Sequence, residues 1–473
     1  MSVVYLGKGR PFSQRHFTWT KTPFCPPEAI LHAGNLRRSP VTLASVRNDI
    51  FQFGGPSVPE PRDPLYWDVL RKAAQAWRLD KPVNPIHLND LPQYRLDTDS
   101  SSPGLPWKND GFKNKRQVMD DPIAFGSIRS FWHRVKYLKA GKPADCAAYL
   151  RAHLVEEGDL KVRAVWGYPA TIGFQEACFA LPLIDAFKKA RFPIAYGYET
   201  ATGGCRRLRD RFHTHRNLLT VDFKSFDKFL PAWIIRHAFS ILCLNIDFTR
   251  YKTRGIPDAL ALYNAWNYIV DYFINTPVRL CNGERYRKRR GVASGSYFTQ
   301  LVDSIANYIM IQYAVARCGS SIKDILVLGD DSLVATTGKV ELTEMSHHLR
   351  MFGMTLNLKK SSTPGCIYDA TFLGYQIRNG VPLKPEAEFW AALVHPEHPD
   401  QSWDEYATRA CGLVLASFAQ HDRFYDILAK QLKDQPFKPT LKPGLRRYLQ
   451  TIGYTTVPSV LPSKLSLAMM SER

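Results

Sequence analysis

Two short apolar runs, Ile325-Leu326-Val327-Leu328 and Leu333-Val334-Ala335, flank the quartet Gly329-Asp330-Asp331-Ser332. Apolar runs of this length around a turn-forming quartet predict a β-hairpin, and its tip carries two adjacent carboxylates. A further apolar, β-favouring run, Leu218-Leu219-Thr220-Val221, ends in Asp222. If these strands are neighbours in one sheet, three carboxylates converge. Like charges at close range raise one another's pKa, and divalent cations are the usual relief. Oxygen-only ligands favour Mg²⁺ or Mn²⁺ over zinc, and a pair of such ions suits the activation of a 3′-oxygen and the departure of pyrophosphate.

The rest of the chain narrows the class. Its 473 residues carry 63 Lys and Arg against 43 Asp and Glu, a formal charge of +20. A chain this long can bury a large core or fold as several subdomains. With 45% apolar residues and 26 Phe, 22 Tyr and 10 Trp, it does not have the composition of a disordered chain. Nine Cys without a CxxC spacing argue against zinc ribbons and a disulfide framework. No run of about 18 uncharged apolar residues occurs, and the first residues lack a secretory core, so a soluble intracellular protein is expected. The basic excess points to a polyanion such as nucleic acid, although ribosomal, capsid and lipid-surface proteins share it.

Residues 1–95 are rich in Pro and aromatics and read as an irregular arm with one helix near Leu65–Leu79. Helical spacing marks Ile256–Asn275 and Tyr297–Arg317, and in the latter Thr299, Asp303 and Asn307 form a polar stripe on an otherwise apolar helix. Such a stripe wants a buried partner. An amphipathic helix over Leu342–Phe352, a strand over Met354–Leu358, a hairpin from Ala370 and helices from Pro385 to about Gln450 complete the pattern. No internal repeat is present. Taken singly, each feature has an ordinary explanation: Gly-Asp-Asp as an Asp-rich turn, Asp227 as a helix cap, the stripe as a satisfied seam. His213, His215, His347 and His348 lack Cys or His partners at useful spacing and read as surface histidines.

In order and together they resemble the motifs of viral RNA-dependent RNA polymerases. Asp222-Phe-Lys-Ser-Phe-Asp227 resembles motif A, Ser294-Gly295-Ser296-Tyr-Phe-Thr299-Gln300 with Asp303 and Asn307 motif B, and Gly329-Asp330-Asp331 motif C. Ser101-Ser102-Pro103-Gly104-Leu105-Pro106-Trp107 is similar to motif G, and Lys161-Val-Arg163-Ala-Val-Trp166-Gly167-Tyr-Pro169 to motif F. Asn357-Leu-Lys359-Lys360-Ser361 looks like motif D, and Phe372-Leu373-Gly374-Tyr375 like motif E. The wording is nearest the partitiviruses, among them the plant cryptic viruses.

The resemblance implies an α+β right-hand fold with an antiparallel palm sheet: an encircling N-terminal arm (1–95), fingers (96–217), palm (218–380, interleaved with a fingers segment at about 249–290), and a thumb with C-terminal tail (381–473). It implies that Asp222 and Asp330 bind two Mg²⁺ or Mn²⁺ ions, with Asp331 in support and the Phe223 carbonyl as an additional ligand. Lys161 and Arg163, alternating on an extended segment, would lie over the triphosphate. Asp227 would accept a hydrogen bond from the ribose 2′-OH. Where the family often has Asn four residues after the motif B Thr, this chain has Asp303. Which of Ser294, Thr299, Asp303 and Asn307 completes ribose selection therefore stays open. Gly295 would give the loop freedom for template and base pair to approach.

Lys360 is the expected general acid, with Lys359 as its rival. Ser102 and Gly104 at template entry, and Arg287, Lys288, Arg289 and Arg290 before motif B, would contact RNA. The implied partners are template and product RNA, ribonucleoside triphosphates and a viral capsid protein, with no membrane, in the virion interior and host cytoplasm. The implied activity is RNA-directed RNA synthesis for replicating and transcribing a double-stranded RNA genome. A non-catalytic basic RNA-packaging protein and a reverse transcriptase are the alternatives.

Overall fold

The hairpin predicted around Gly329 is formed by Ile322–Leu328 and Asp331–Thr336, and Leu218–Val221 pairs on its other side. This antiparallel three-stranded sheet has Ser332 opposite both Val221 and Val327. All four residues of Leu218–Val221 are buried, so the sheet is covered on both faces. The computed structural model describes residues 3–471 except 15–20, 57, 140 and 190.

Against the sheet lies the helix Thr299–Arg317, buried over most of its circumference within the larger hydrophobic core. A helix apolar on nearly every side must run inside the molecule, and its few polar side chains must find partners there. A second core gathers the C-terminal helices 386–394, 403–417, 422–434 and 443–452 against the outer side of the small sheet, through Leu326, Leu333 and Ala335.

The first 95 residues differ from the expected irregular arm. Val3–Lys8 is an edge strand of a five-stranded sheet and pairs antiparallel with Glu284–Lys288. Helices follow at Leu43–Phe51 and Pro64–Ala76; the second matches expectation, with Asp63 capping the Tyr66 N–H at 2.7 Å and Pro64 in the first turn. The arm reaches the C-terminal helices as well: Thr22 N–H donates to Val394 O at 2.9 Å and Arg38 Nε to His395 O at 2.9 Å. The remaining strands of the five-stranded sheet are Pro277–Arg279, Cys146–Ala152 and Val162–Gly167, the last forming the far edge.

Met354–Leu358 is not a ladder strand. It makes one isolated bridge, Phe223 to Leu356, because its backbone turns at Asn357–Lys360. The turn instead brackets the end of the buried strand: Asn357 N–H donates to Asp222 O at 2.8 Å, and Thr220 and Ser362 exchange backbone bonds of 2.9 Å.

Candidate active site

Asp222 follows the last residue of its strand, and Asp331 begins the neighbouring one, so the register carries Asp222, Asp330 and Asp331 to the same end of the sheet. Gly329 turns the hairpin at φ +62°, a backbone conformation that side chains rarely adopt. Asp330 and Asp331 are exposed at the turn, yet the surrounding protein desolvates their carboxyl groups. Desolvation is the first cause of the raised Asp331 pKa, followed by Asp330 and Asp222, and together they push it up to about 7. Desolvation likewise raises Asp330, reinforced by Asp227. The acids interact without closing on one point: among the described residues, the trio of metal-type ligand atoms found within 4.8 Å of one another is Cys318, Glu344 and His348, away at the far end of the 299–317 helix. The fold thus gives His348 a Cys neighbour that sequence spacing did not suggest.

A basic rim faces the acids. Desolvation raises the Asp222 pKa, and Lys360, Lys161 and Arg163, in that order, oppose it. Lys359 and Lys360 are both exposed at the turn that follows, and Lys360 is the first of the charges opposing the rise at Asp222. Ser361 anchors the rim, its hydroxyl accepting from Asp222 N–H at 3.0 Å and donating to Asp222 O at 3.2 Å. Lys161, just before the edge strand Val162–Gly167, and Arg163, within it, are both exposed.

The polar stripe divides into different tasks. Thr299 Oγ1 donates to Ala293 O at 2.9 Å and closes the loop before its helix. Asp303, 6% exposed, has one carboxylate oxygen with no partner, and burial followed by Asp227 and Asp330 drives its pKa far up. Asn307, completely buried, turns its amide to the carbonyls of Gly329 (3.0 Å) and Asp331 (3.2 Å). Its amide N–H groups thus hold the acidic turn, while its buried Oδ1 has no hydrogen-bond partner. Ser304, unrecognised in the sequence, helps by accepting from Gly329 N–H at 2.8 Å. Its signal was the i,i+3 spacing to Asn307.

The motif B loop is also tied more tightly than expected. Ser294 Oγ accepts from Trp166 N–H at 3.1 Å, and a Cβ on Gly295, at φ +100°, would run into Trp166 O. Close backbone packing thus requires Gly295 as much as its positive φ does. Glu176, fully buried, accepts from Ser296 Oγ at 2.9 Å and Tyr297 N–H at 3.0 Å. An acid inside the apolar run Gly173-Phe-Gln-Glu-Ala-Cys-Phe was the signal for this missed residue.

Several expected RNA contacts face elsewhere. Lys288 lies at an inward position of its strand, and its ammonium donates to the carbonyls of Phe273 (2.5 Å), Ile274 (3.0 Å) and Gly291 (2.8 Å). Burial lowers its pKa to about 7. Arg290 holds the carbonyls of Phe53, Gly54 and Pro56, joining the arm instead of a channel. Gly104 is buried, and a Cβ there would meet Pro169 Cα at 2.7 Å, so it packs two loops together. The Ser102 hydroxyl bonds the Tyr149 hydroxyl at 2.5 Å. Arg287 is half-buried and Arg289 exposed.

A family model described as viral RNA-dependent RNA polymerase matches residues 28–435. The chain belongs to that family. It is 24% identical over 478 residues to the RNA-directed RNA polymerase of White clover cryptic virus 1, covering 83% of this chain and 77% of that protein. It is 29% identical over 356 residues to the corresponding polymerase of Cryptosporidium parvum virus 1, covering 70% and 64%. With the polymerase of Atkinsonella hypoxylon virus the figures are 26% over 326 residues, 59% and 49%.

Among solved structures, the Sicinivirus 3Dpol RNA-dependent RNA polymerase superposes with a TM-score of 0.70 at 15% identity over 96% of this chain and all of that one (100%). The polymerase of a human picobirnavirus gives 0.64 at 15% identity, over 86% and 78%. The fold is therefore the right-hand polymerase fold, and the chain is an RNA-directed RNA polymerase; the packaging and reverse-transcriptase alternatives are not favoured. Among the described residues no helix is long and apolar enough to cross a membrane.

Proposed function

We propose that this polymerase copies the double-stranded RNA genome of a partitivirus-like virus, in both replication and transcription, with Asp222, Asp330 and Asp331 as its acidic centre. The observation that carries this reading is the meeting of the Asp222 strand end with the Asp330–Asp331 turn beneath Lys161, Arg163 and Lys360. The donor set is all oxygen and mutually repulsive, which fits Mg²⁺ or Mn²⁺. Asp222 and Asp330 would hold two ions, with Asp331 and the Phe223 carbonyl in support. When bound, such ions supply Lewis acidity at the attacking 3′-oxygen and charge neutralisation at pyrophosphate.

The chain's own groups do the rest. Lys161 and Arg163 bind and orient the triphosphate. Asp227, half-buried and electrostatically coupled to Asp303, accepts from the ribose 2′-OH, and a proton kept on Asp303 lets the two acids coexist. Lys360 delivers a proton to the departing pyrophosphate oxygen. Arg289 and Arg287 contact RNA phosphates. Residues 96–217 act as fingers, 218–380 as palm with its inserted fingers segment, and 381–473 as thumb and tail. Capsid protein is the proposed partner, in the virion interior and host cytoplasm.

The test is single-nucleotide addition to a primed RNA template. Ribonucleotide incorporation that far exceeds deoxyribonucleotide incorporation, stops with a chelator and returns with Mg²⁺ or Mn²⁺ supports the proposal; equal use of both sugars, or synthesis indifferent to chelation, overturns it.

A further inference from the structure

The strand that carries Arg163 has a free edge, because Val162–Gly167 pairs only with Cys146–Ala152 and ends its sheet. Edge N–H groups need partners, and here side chains supply them instead of another strand. Ser39, fully buried, accepts the Lys161 N–H at 2.8 Å. Asp49, 4% exposed, accepts the Ala164 N–H at 2.8 Å through Oδ2. Both acceptors belong to the N-terminal arm, and they bracket Arg163.

Each acceptor is itself held. Ser39 N–H donates to His153 O at 2.9 Å, next to the partner strand. The other Asp49 oxygen pairs with Lys228 Nζ, which also donates to Gln52 Oε1 at 3.0 Å. Lys228 directly follows Asp227, so one buried carboxylate of the arm joins the Arg163 strand to the Asp227 segment. The arm is fixed independently, through Arg38 to Ala152 O (3.0 Å) and His395 O (2.9 Å), and through Arg47 to Glu284 (2.7 Å).

We propose that Ser39 and Asp49 are positioning residues for the incoming nucleotide: by holding the backbone on both sides of Arg163, the N-terminal arm sets the height of Lys161 and Arg163 over Asp222. This rests on the reading that Lys161 and Arg163 bind the triphosphate. The side chains of Ser39 and Asp49 touch no reacting atom in this arrangement. Their effect passes through the strand, and it belongs in nucleotide affinity more than in the chemical step.

Steady-state single-nucleotide addition on a saturating primed RNA tests this with Ser39→Ala, Asp49→Ala, Asp49→Asn and Arg163→Ala, and with Asp49→Ala combined with Arg163→Ala. Ser39→Ala and Asp49→Ala are expected to raise KM for the ribonucleoside triphosphate about tenfold with kcat within about twofold. The double variant is expected to raise KM by less than the product of the two single effects, since Asp49 acts in part through Arg163. If Arg163→Ala raises KM while the Ser39 and Asp49 variants leave it at the wild-type value, even where melting temperature falls, the positioning role is overturned and the nucleotide reading stands. If Arg163→Ala itself leaves KM unchanged, the nucleotide reading fails and takes the positioning role with it. Should Asp49→Ala not fold, Ser39→Ala and Asp49→Asn decide by the same KM criterion.

Discussion

The side-chain amide of Asn307 donates to the backbone carbonyl of Asp331 at 3.2 Å, so a buried helix fixes the acidic turn from below. Removing that donor leaves the carbonyls of Gly329 and Asp331 short of a partner. Asn307→Ala is expected to lower kcat about tenfold, the equivalent of ~1.4 kcal/mol in the barrier, with KM for nucleotide within about twofold. Steady-state kinetics checks this, and an unchanged kcat would detach the helix from the turn's function.

Asp227 and Asp303 form the pair proposed to read the sugar. A site built around a hydroxyl rejects the analogue lacking it, because its polar group is left unpaired. Asp227→Ala should therefore reduce the preference for ribonucleotide over deoxyribonucleotide at least about tenfold, mainly by slowing ribonucleotide use. Competitive incorporation of the two sugars measures the ratio.

Lys288 and Arg289 are neighbours in sequence with opposite expectations. Lys288→Met removes a buried donor from three carbonyls, with an expected loss of about 2–4 kcal/mol of stability and no change in the salt dependence of RNA binding. Arg289→Ala should leave stability alone and reduce the slope of log affinity against log salt by about 1. Denaturant melts and RNA titrations at several salt concentrations separate the two.

Glu176 gives a pH signature. Burial pushes its pKa up to about 8 from an ordinary 4.5, opposed by the Tyr297 N–H, Ser296 and Lys115. A folded pKa above the unfolded one means that its contribution to stability is fully present below 4.5 and is lost as pH rises towards 8. Lys115, lowered by burial to about 8 from 10.5, acts on the alkaline side of that window. Between about pH 5 and 7.5 the wild type should lose melting temperature relative to Glu176→Gln as pH rises. Parallel pH profiles for the two proteins would contradict the assignment.

The parts legible in the sequence were those whose signals are local. The Ile322–Thr336 hairpin and the Thr299–Arg317 helix announce themselves by turn residues and periodicity, and the acids at the sheet end follow from where each strand stops. The strand Val3–Lys8 was hidden because its partner, Glu284–Lys288, lies far along the chain. The same strand misled the reading of Lys288, since a basic run looks solvated until pairing decides which face turns inward. Asn307 and Asp303 could not be told apart by spacing alone; the direction of the Asn307 amide depends on a turn that tertiary packing brings to it. Glu176 and Asp49 were missed for a related reason: a buried acid reveals its purpose only once the N–H groups it accepts are in place.

Incorporation of labelled ribonucleotides on a defined single-stranded RNA, by the wild type and by Asp222→Asn and Asp330→Asn, tests whether these acids carry RNA synthesis. Template-length RNA is expected from the wild type, with a fall to below about a thousandth of that rate in each variant and RNA binding retained in all three. RNA binding by all three with no product from the wild type, under Mg²⁺ or Mn²⁺ with a primer and capsid protein supplied, would contradict it, as would undiminished synthesis by either variant.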